Sequence, residues 1–294
     1  MTTRQVDAPD VTRCLICEDV NPDDAVLCRT CSAPMAVTRD AAAERRPPQI
    51  VCVVGESHVG KTVYLGCLLD MLARRAGDIE AIPRSPCAVD LSQVVIDHMS
   101  NRRFPPKTSV EATQWQWAYY QVARRGRGSR CVDLLMPDVP GDVVAAEVEA
   151  PRSFRVIRNL LNKSAGLLLL VDGALAASGS SQPDFFATKL LSYFDSMHAG
   201  RSGRRVPIPV AIVMCKSDHC SECFENPREF ARGNLNRLWT LCENRFDHAA
   251  FFATSVVGSL GYAATKDGAD IVPVPLHTAL RGVREPFEWV LDQL

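Results

Sequence analysis

The chain has 294 residues and 47% hydrophobic composition, enough for a sizeable core in one large domain, alone or joined to a small one. Its 33 basic and 34 acidic residues give a net charge of −1, which excludes a global electrostatic pull toward nucleic acid or an acidic surface. The longest apolar run, Ala165–Val171, is strand-sized and stops at Asp172, so no membrane span is expected.

The first ten residues, MTTRQVDAPD, lack an apolar signal region, so a cytoplasmic location is expected and the 12 cysteines are expected to be thiols. Cys14, Cys17, Cys28 and Cys31 form two Cys-x-x-Cys knuckles joined through a turn at Asn21–Asp24. Four thiolates aimed at one point suit tetrahedral Zn²⁺. An iron centre of rubredoxin type and a redox dithiol pair use the same pattern. Zinc is favoured because neither an aromatic cluster nor a βαβ unit flanks the cysteines. With every position filled by cysteine, such a site is structural. Residues 1–33 are therefore expected to be a zinc ribbon, whose folding leans on the metal. Zinc ribbons bind proteins about as readily as nucleic acids. Residues 34–48 lack apolar periodicity and end in Pro47-Pro48. They read as a linker with at most a helical turn at Ala41–Arg45, which would let the ribbon move relative to residues 49–294.

Ile50–Val54 is an apolar, mostly β-branched run, the pattern of a strand buried on both faces. It leads into Gly55-x4-Gly60-Lys61-Thr62, and then a helix offering Val63, Leu65, Leu68, Leu69 and Leu72, stopping near Gly77. This is the order a phosphate-binding loop needs. The backbone of Gly55, Glu56, Ser57, His58, Val59 and Gly60 can turn its N–H groups inward on a polyphosphate, and the helix adds the positive end of its dipole. Lys61 supplies a point charge for the β- and γ-phosphates, and the Thr62 hydroxyl is placed for Mg²⁺. A nucleoside triphosphate is the expected ligand.

Further along, helical spacing marks 91–99, and Arg102–Thr108 reads as an extended loop because of Pro105-Pro106. Trp115–Ala123 and Cys131–Met136 form an expected antiparallel hairpin with its turn at 124–130, and its aromatic alternation is expected to be half-buried sheet. The second strand ends in Asp138-x-x-Gly141. There Asp138 can hold the water shell of Mg²⁺, and the Gly141 N–H can approach a γ-phosphate. Strands are expected at Ala165–Asp172, Val210–Met214 and Ala250–Phe252, with helices at 185–197 and 230–245 between them. Residues 258–275 read as a surface loop and Leu276–Leu294 as a closing amphipathic helix. The alternation predicts a doubly wound, mostly parallel α/β sheet with ligands at its carboxyl edge.

GESHVGKT, DVPG, CKSD and ATSV, in this order at strand ends, resemble the motifs of Ras-like P-loop GTPases of the translation-factor-related class. With the ribbon and the closing REPFEWVLDQL, the chain resembles the bacterial double-GTPase group found in conflict systems. The resemblance implies GTP/GDP and Mg²⁺ as ligands. It places Asp218 on the donor edge of guanine, the Lys216 stem against the ring, and the Val256 N–H, after Ser255, near guanine O6. It also implies a switch threonine capping Mg²⁺, for which Thr108 is preferred over Thr113, and catalysis resting on Lys61, Thr108 and Gly141.

Three departures matter. Cys215 stands where relatives have Asn or Thr. Ser57 and His58 replace small loop residues, and His58 needs a left-handed backbone. Asp142 stands where a water-positioning glutamine is common. These imply a switch whose hydrolysis is slow or partner-activated, with the ribbon docking an unidentified protein partner. The alternatives are a nucleotide-binding pseudo-GTPase scaffold and a nucleic-acid-associated NTPase using the ribbon and the basic residues of 101–130, although those read more simply as a solvated hairpin tip. Cys220, Cys223, Cys242 and His248 are not expected to hold a second metal, and Cys52, Cys67, Cys87 and Cys131 are expected to be buried hydrophobes.

Overall fold

The computed structural model describes residues 11–44, 47–74, 77–124, 131–199, 204–264 and 271–294. The tip of the arginine-bearing hairpin, 125–130, lies outside the described residues.

The N-terminal module holds a two-stranded antiparallel ladder, β1 (Val11–Arg13) with β2 (Val20–Pro22), followed by helix α1 (Met35–Ala43). The expected linker thus contains a helix. Met35, Thr38 and Ala41 recur at three-residue spacing and are buried, while the Thr38 hydroxyl accepts from Leu15 N. The ribbon is also docked. Lys163 Nζ donates to Leu15 O and pairs with Glu18, and Arg155 pairs with Asp19.

The main body follows as β3 (Gln49–Gly55), α2 (Lys61–Ala73), β4 (Ile79–Pro83), α3 (Pro86–Ser100), β5 (Gln116–Arg124), β6 (Cys131–Asp138), α4 (Gly141–Glu149), α5 (Arg155–Asn162), β7 (Ser164–Asp172), α6 (Gly173–Ala177) and α7 (Gln182–His198). It continues through β8 (Val210–Cys215), α8 (Ser221–Glu225), α9 (Pro227–Asn234), α10 (Asn236–Arg245), β9 (Ala249–Ala253), β10 (Ser255–Ala264), β11 (Ile271–Arg281) and α11 (Glu285–Gln293).

Seven strands form one sheet in the order β4-β5-β6-β3-β7-β8-β9, parallel from β6 to β9 and antiparallel at β4-β5-β6. Period-two side-chain alternation divides the core into two layers. Val51, Val53, Leu168, Leu170 and Val213 face α2, α3 and α11. Ile50, Cys52, Leu167, Leu169 and Ile212 face α4, α5, α7 and α10. The second layer also contains ribbon residues Ile16 and Met35 together with Trp117 and Tyr119. For that reason β5 is buried on both faces, with Trp117 2% and Tyr120 1% exposed, rather than half-buried as expected.

Other expectations need correcting. The expected helix at 230–245 is two helices, broken at Leu235 between α9 and α10. Of the expected loop, 258–264 lie in β10 and 271–275 in β11, which also takes in the start of the expected closing helix, and 265–270 lie outside the described residues; Glu285–Gln293 is helical. The edge strand β4 was hidden by its brevity and its mixed composition. Cys52 and Cys67 are buried, but Cys87 and Cys131 are exposed. Among the described residues, no helix is long and apolar enough to cross a membrane.

Candidate functional site: a phosphate-loop cleft and a cysteine cluster

The chain builds β4, β5 and β6 on one side of β3 and then crosses to β7, β8 and β9 on the other, so the carboxyl end of β3 is the topological switch point where α/β sheets open a crevice. The loop from Gly55 to Gly60 sits there. His58 is left-handed at φ 62°, a conformation histidine tolerates better than β-branched residues do. Gly60, at φ 101°, caps α2.

Lys61 is 6% exposed, and its ammonium donates to Gly55 O at 3.1 Å and Glu56 O at 2.8 Å. Burial lowers it to about 8, with Asp138 and Asp142 pulling the other way. The Thr62 hydroxyl lies 2.9 Å from the Thr108 hydroxyl and 2.9 Å from Asp138 Oδ2, and Thr108 donates to the same carboxylate at 3.0 Å. Two hydroxyls and a carboxylate from three separate segments thus converge on one point. This hard-oxygen set suits Mg²⁺. Burial raises Asp138 from its ordinary value, opposed by the two hydroxyls and by the Lys61 charge. Thr113 sits in a short, exposed 3₁₀ turn away from this cluster. Gly141 packs so closely on the phosphate loop that a Cβ there would lie 2.5 Å from Ser57 N.

At the other end of the cleft, Lys216 is left-handed at φ 58°, and its ammonium pairs with Asp172 Oδ2 at 2.6 Å. Asp172 also caps α6 by accepting from Leu175 N. The Ser255 hydroxyl donates to Asp218 Oδ1 at 3.0 Å, and β10 bulges between Ser255 and Val257, which sets Val256 apart from the ladder. Cys215 is buried, with its Sγ directed at Val213 O.

One cavity of ≈ 620 Å³ joins the two ends. Ser57, His58, Val59, Gly60, Lys61, Thr62 and Gly141 line it on one side, and Lys216, Asp218 and Val256 on the other. Gly55, Glu56, Asp138 and Ser255 are not among its lining residues; Glu56 accepts from Gln182. Several lining residues were not anticipated. Phe104, Pro105 and Pro106 line the cavity, as do Val257, Leu260, Val272 and Pro273 of the β10–β11 hairpin. Asp172 was read only as a strand terminus. Its place at the carboxyl end of a buried strand was the available signal.

The four N-terminal cysteines bring their sulfurs within 4.8 Å of one another. Asn21, 1% exposed, directs its amide N–H to Cys28 Sγ at 3.4 Å and accepts from Arg29 N. A buried donor aimed at a sulfur is what a thiolate ligand requires. Hydrogen bonding from Cys31 brings the Cys14 thiol down to about 5, and burial pushes Cys17 up to about 12. The cluster fits a small zinc ribbon. Among the described residues it is the single metal-ligand grouping of this kind, and Cys220, Cys223 and Cys242 belong to the core instead.

Fold and cleft together define a P-loop GTP-binding domain. The profile of the Double-GTPase 2 family matches residues 49–274, and the chain belongs to that family. Similar solved structures include nucleolar GTP-binding protein 1 of Plasmodium falciparum (12% identity, TM-score 0.42, 84% of this chain and 86% of that one). Others are a signal recognition particle receptor complex of Chaetomium thermophilum (16%, 0.42, 72% and 92%) and the small GTPase Arl6 of Trypanosoma brucei (15%, 0.39, 83% and 96%). No curated protein matches the chain.

Proposed function

We propose that this protein is a cytoplasmic, Mg²⁺-dependent GTP-binding switch, with slow or partner-activated hydrolysis and a zinc ribbon that docks a protein partner. The observation that carries this reading is the single cleft with Lys61 and Thr62 at one end and Asp218 at the other. In it Lys61 takes the β- and γ-phosphates, Thr62, Thr108 and Asp138 hold Mg²⁺, and the Gly141 N–H meets the γ-phosphate. Asp218 accepts from guanine N1 and N2, Val256 N–H donates to O6, and the Lys216 stem, held by Asp172, lies along the ring. A carboxylate at that point meets the acceptor N1 and the C2–H of adenine, so it discriminates through unpaired polar groups. Residues 1–33 serve as the ribbon and 49–294 as the switch domain.

The test is a nucleotide titration of the full chain with Mg²⁺. GTP should bind at least about tenfold more tightly than ATP, and Asp218→Ala should erase most of that ratio. A wild-type preference for ATP would overturn the assignment. A second reading, a binding-only pseudo-GTPase, is favoured by one observation: Asp142, at the water-positioning place, is engaged by Lys107. Single-turnover hydrolysis no faster than that of free GTP, with and without cell extract, would select it. Nucleic acid is the less favoured partner, because Lys107 and Arg124 of the basic region are paired with acids.

A further inference from the structure

Lys107 and Asp142 come from segments far apart in sequence, the extended stretch before Thr108 and the first turn of α4 after Gly141, and they form an ion pair at the phosphate end of the cleft. Lys107 lines the same cavity as Lys61, Thr62 and Gly141, and its charge acts on the Lys61 ammonium. Asp142 is held low by Lys107, with smaller contributions from the Ser57 hydroxyl and His58. An aspartate beside a γ-phosphate repels it, so Asp142 is a poor choice for a triphosphate site unless a cation stands between them. Lys107 is that cation. It is also the immediate neighbour of Thr108, so whatever holds its ammonium also holds the segment that carries the Thr108 hydroxyl.

We infer that Lys107 is a built-in reader of the third phosphate, anchored by Asp142, which makes the cleft prefer nucleoside triphosphate over diphosphate and holds the Phe104–Ser109 segment closed. The proposal deepens the GTP reading and rests on it. Diphosphate ends short of Lys107 and gains little from it, whereas triphosphate places a doubly charged group beside the ammonium.

The experiment measures the affinities of the full-length protein for the non-hydrolysable analogue GppNp and for GDP, both with Mg²⁺, in a double-mutant cycle. Lys107→Ala should lower the GppNp-to-GDP affinity ratio about tenfold or more while GDP binding stays within about twofold, which also certifies the fold. Lys107→Arg should keep most of the ratio. In an Asp142→Asn background the Lys107→Ala effect should shrink to about threefold, because the bare carboxylate is gone. Equal weakening of both nucleotides, or an unchanged ratio, would overturn the proposal and leave the GTP reading standing. Failure of the wild-type protein to bind either nucleotide would overturn both.

Discussion

Lys61 sets the chemistry of the cleft at the residue scale. Its ammonium has traded water for two carbonyls and is held near pH 8. The proposed phosphate contact requires the charged form. Below about pH 8 the proton is already present and affinity should be flat. Above it each nucleotide must bring a proton, so affinity should fall by up to about tenfold per pH unit. Titration calorimetry in two buffers of different ionisation enthalpy checks the sign: proton uptake at pH 9, none at pH 7. Gly141 makes a second residue-scale case. In Gly141→Ala the methyl group meets Ser57 N at 2.5 Å, so one loop must retreat. Strain of about 1–3 kcal/mol should weaken GppNp roughly tenfold and leave GDP nearly untouched, as read by competitive binding.

Among the elements, the β10–β11 hairpin has no counterpart in the sequence-based expectation. Pro273, Pro275, Gly258 and Gly261 argue for a loop locally. The hairpin is held by its own antiparallel ladder and by Thr254 Oγ1 donating to Arg281 O, and Leu260 and Val272 line the cleft. Its residues line the same cavity as Phe104 and Asp218. Replacing residues 258–279 with a short Gly-Ser turn should remove two aliphatic contacts worth about 1.5–3 kcal/mol, speeding nucleotide release by roughly tenfold or more with the GTP-over-ATP ratio unchanged. Stopped-flow chase of a fluorescent GDP reads this directly. Strands β3, β7 and β8 behave in the opposite way. Their unbroken apolar runs announce two-sided burial, and both core layers meet there.

For the whole molecule, the consequential finding is that the ribbon is packed and not tethered. Ile16 and Met35 share a core layer with Trp117, and Trp115 Nε1 donates to Ser109 O, beside Thr108. Zinc removal, or Cys14→Ser, should therefore lower the thermal midpoint of the main body by several degrees, at about 2–4 °C per kcal/mol. A freely linked ribbon would leave that midpoint unchanged. Calorimetry with metal analysis of the same sample decides, wild type holding one zinc per chain.

By itself the sequence determined the motifs whose members are contiguous. The phosphate loop, Asp138-x-x-Gly141, the Lys216–Asp218 turn and the paired cysteine knuckles are short patterns whose chemistry demands fixed spacing. The tertiary structure decided what depends on partners far along the chain. It placed the Thr108 hydroxyl against Thr62 and Asp138, joined the two ends of the cleft, paired β10 with β11 beside it and seated the ribbon on the main body. Local propensity is blind to these contacts because the free energy that holds them comes from surface buried between segments, and no single segment displays it.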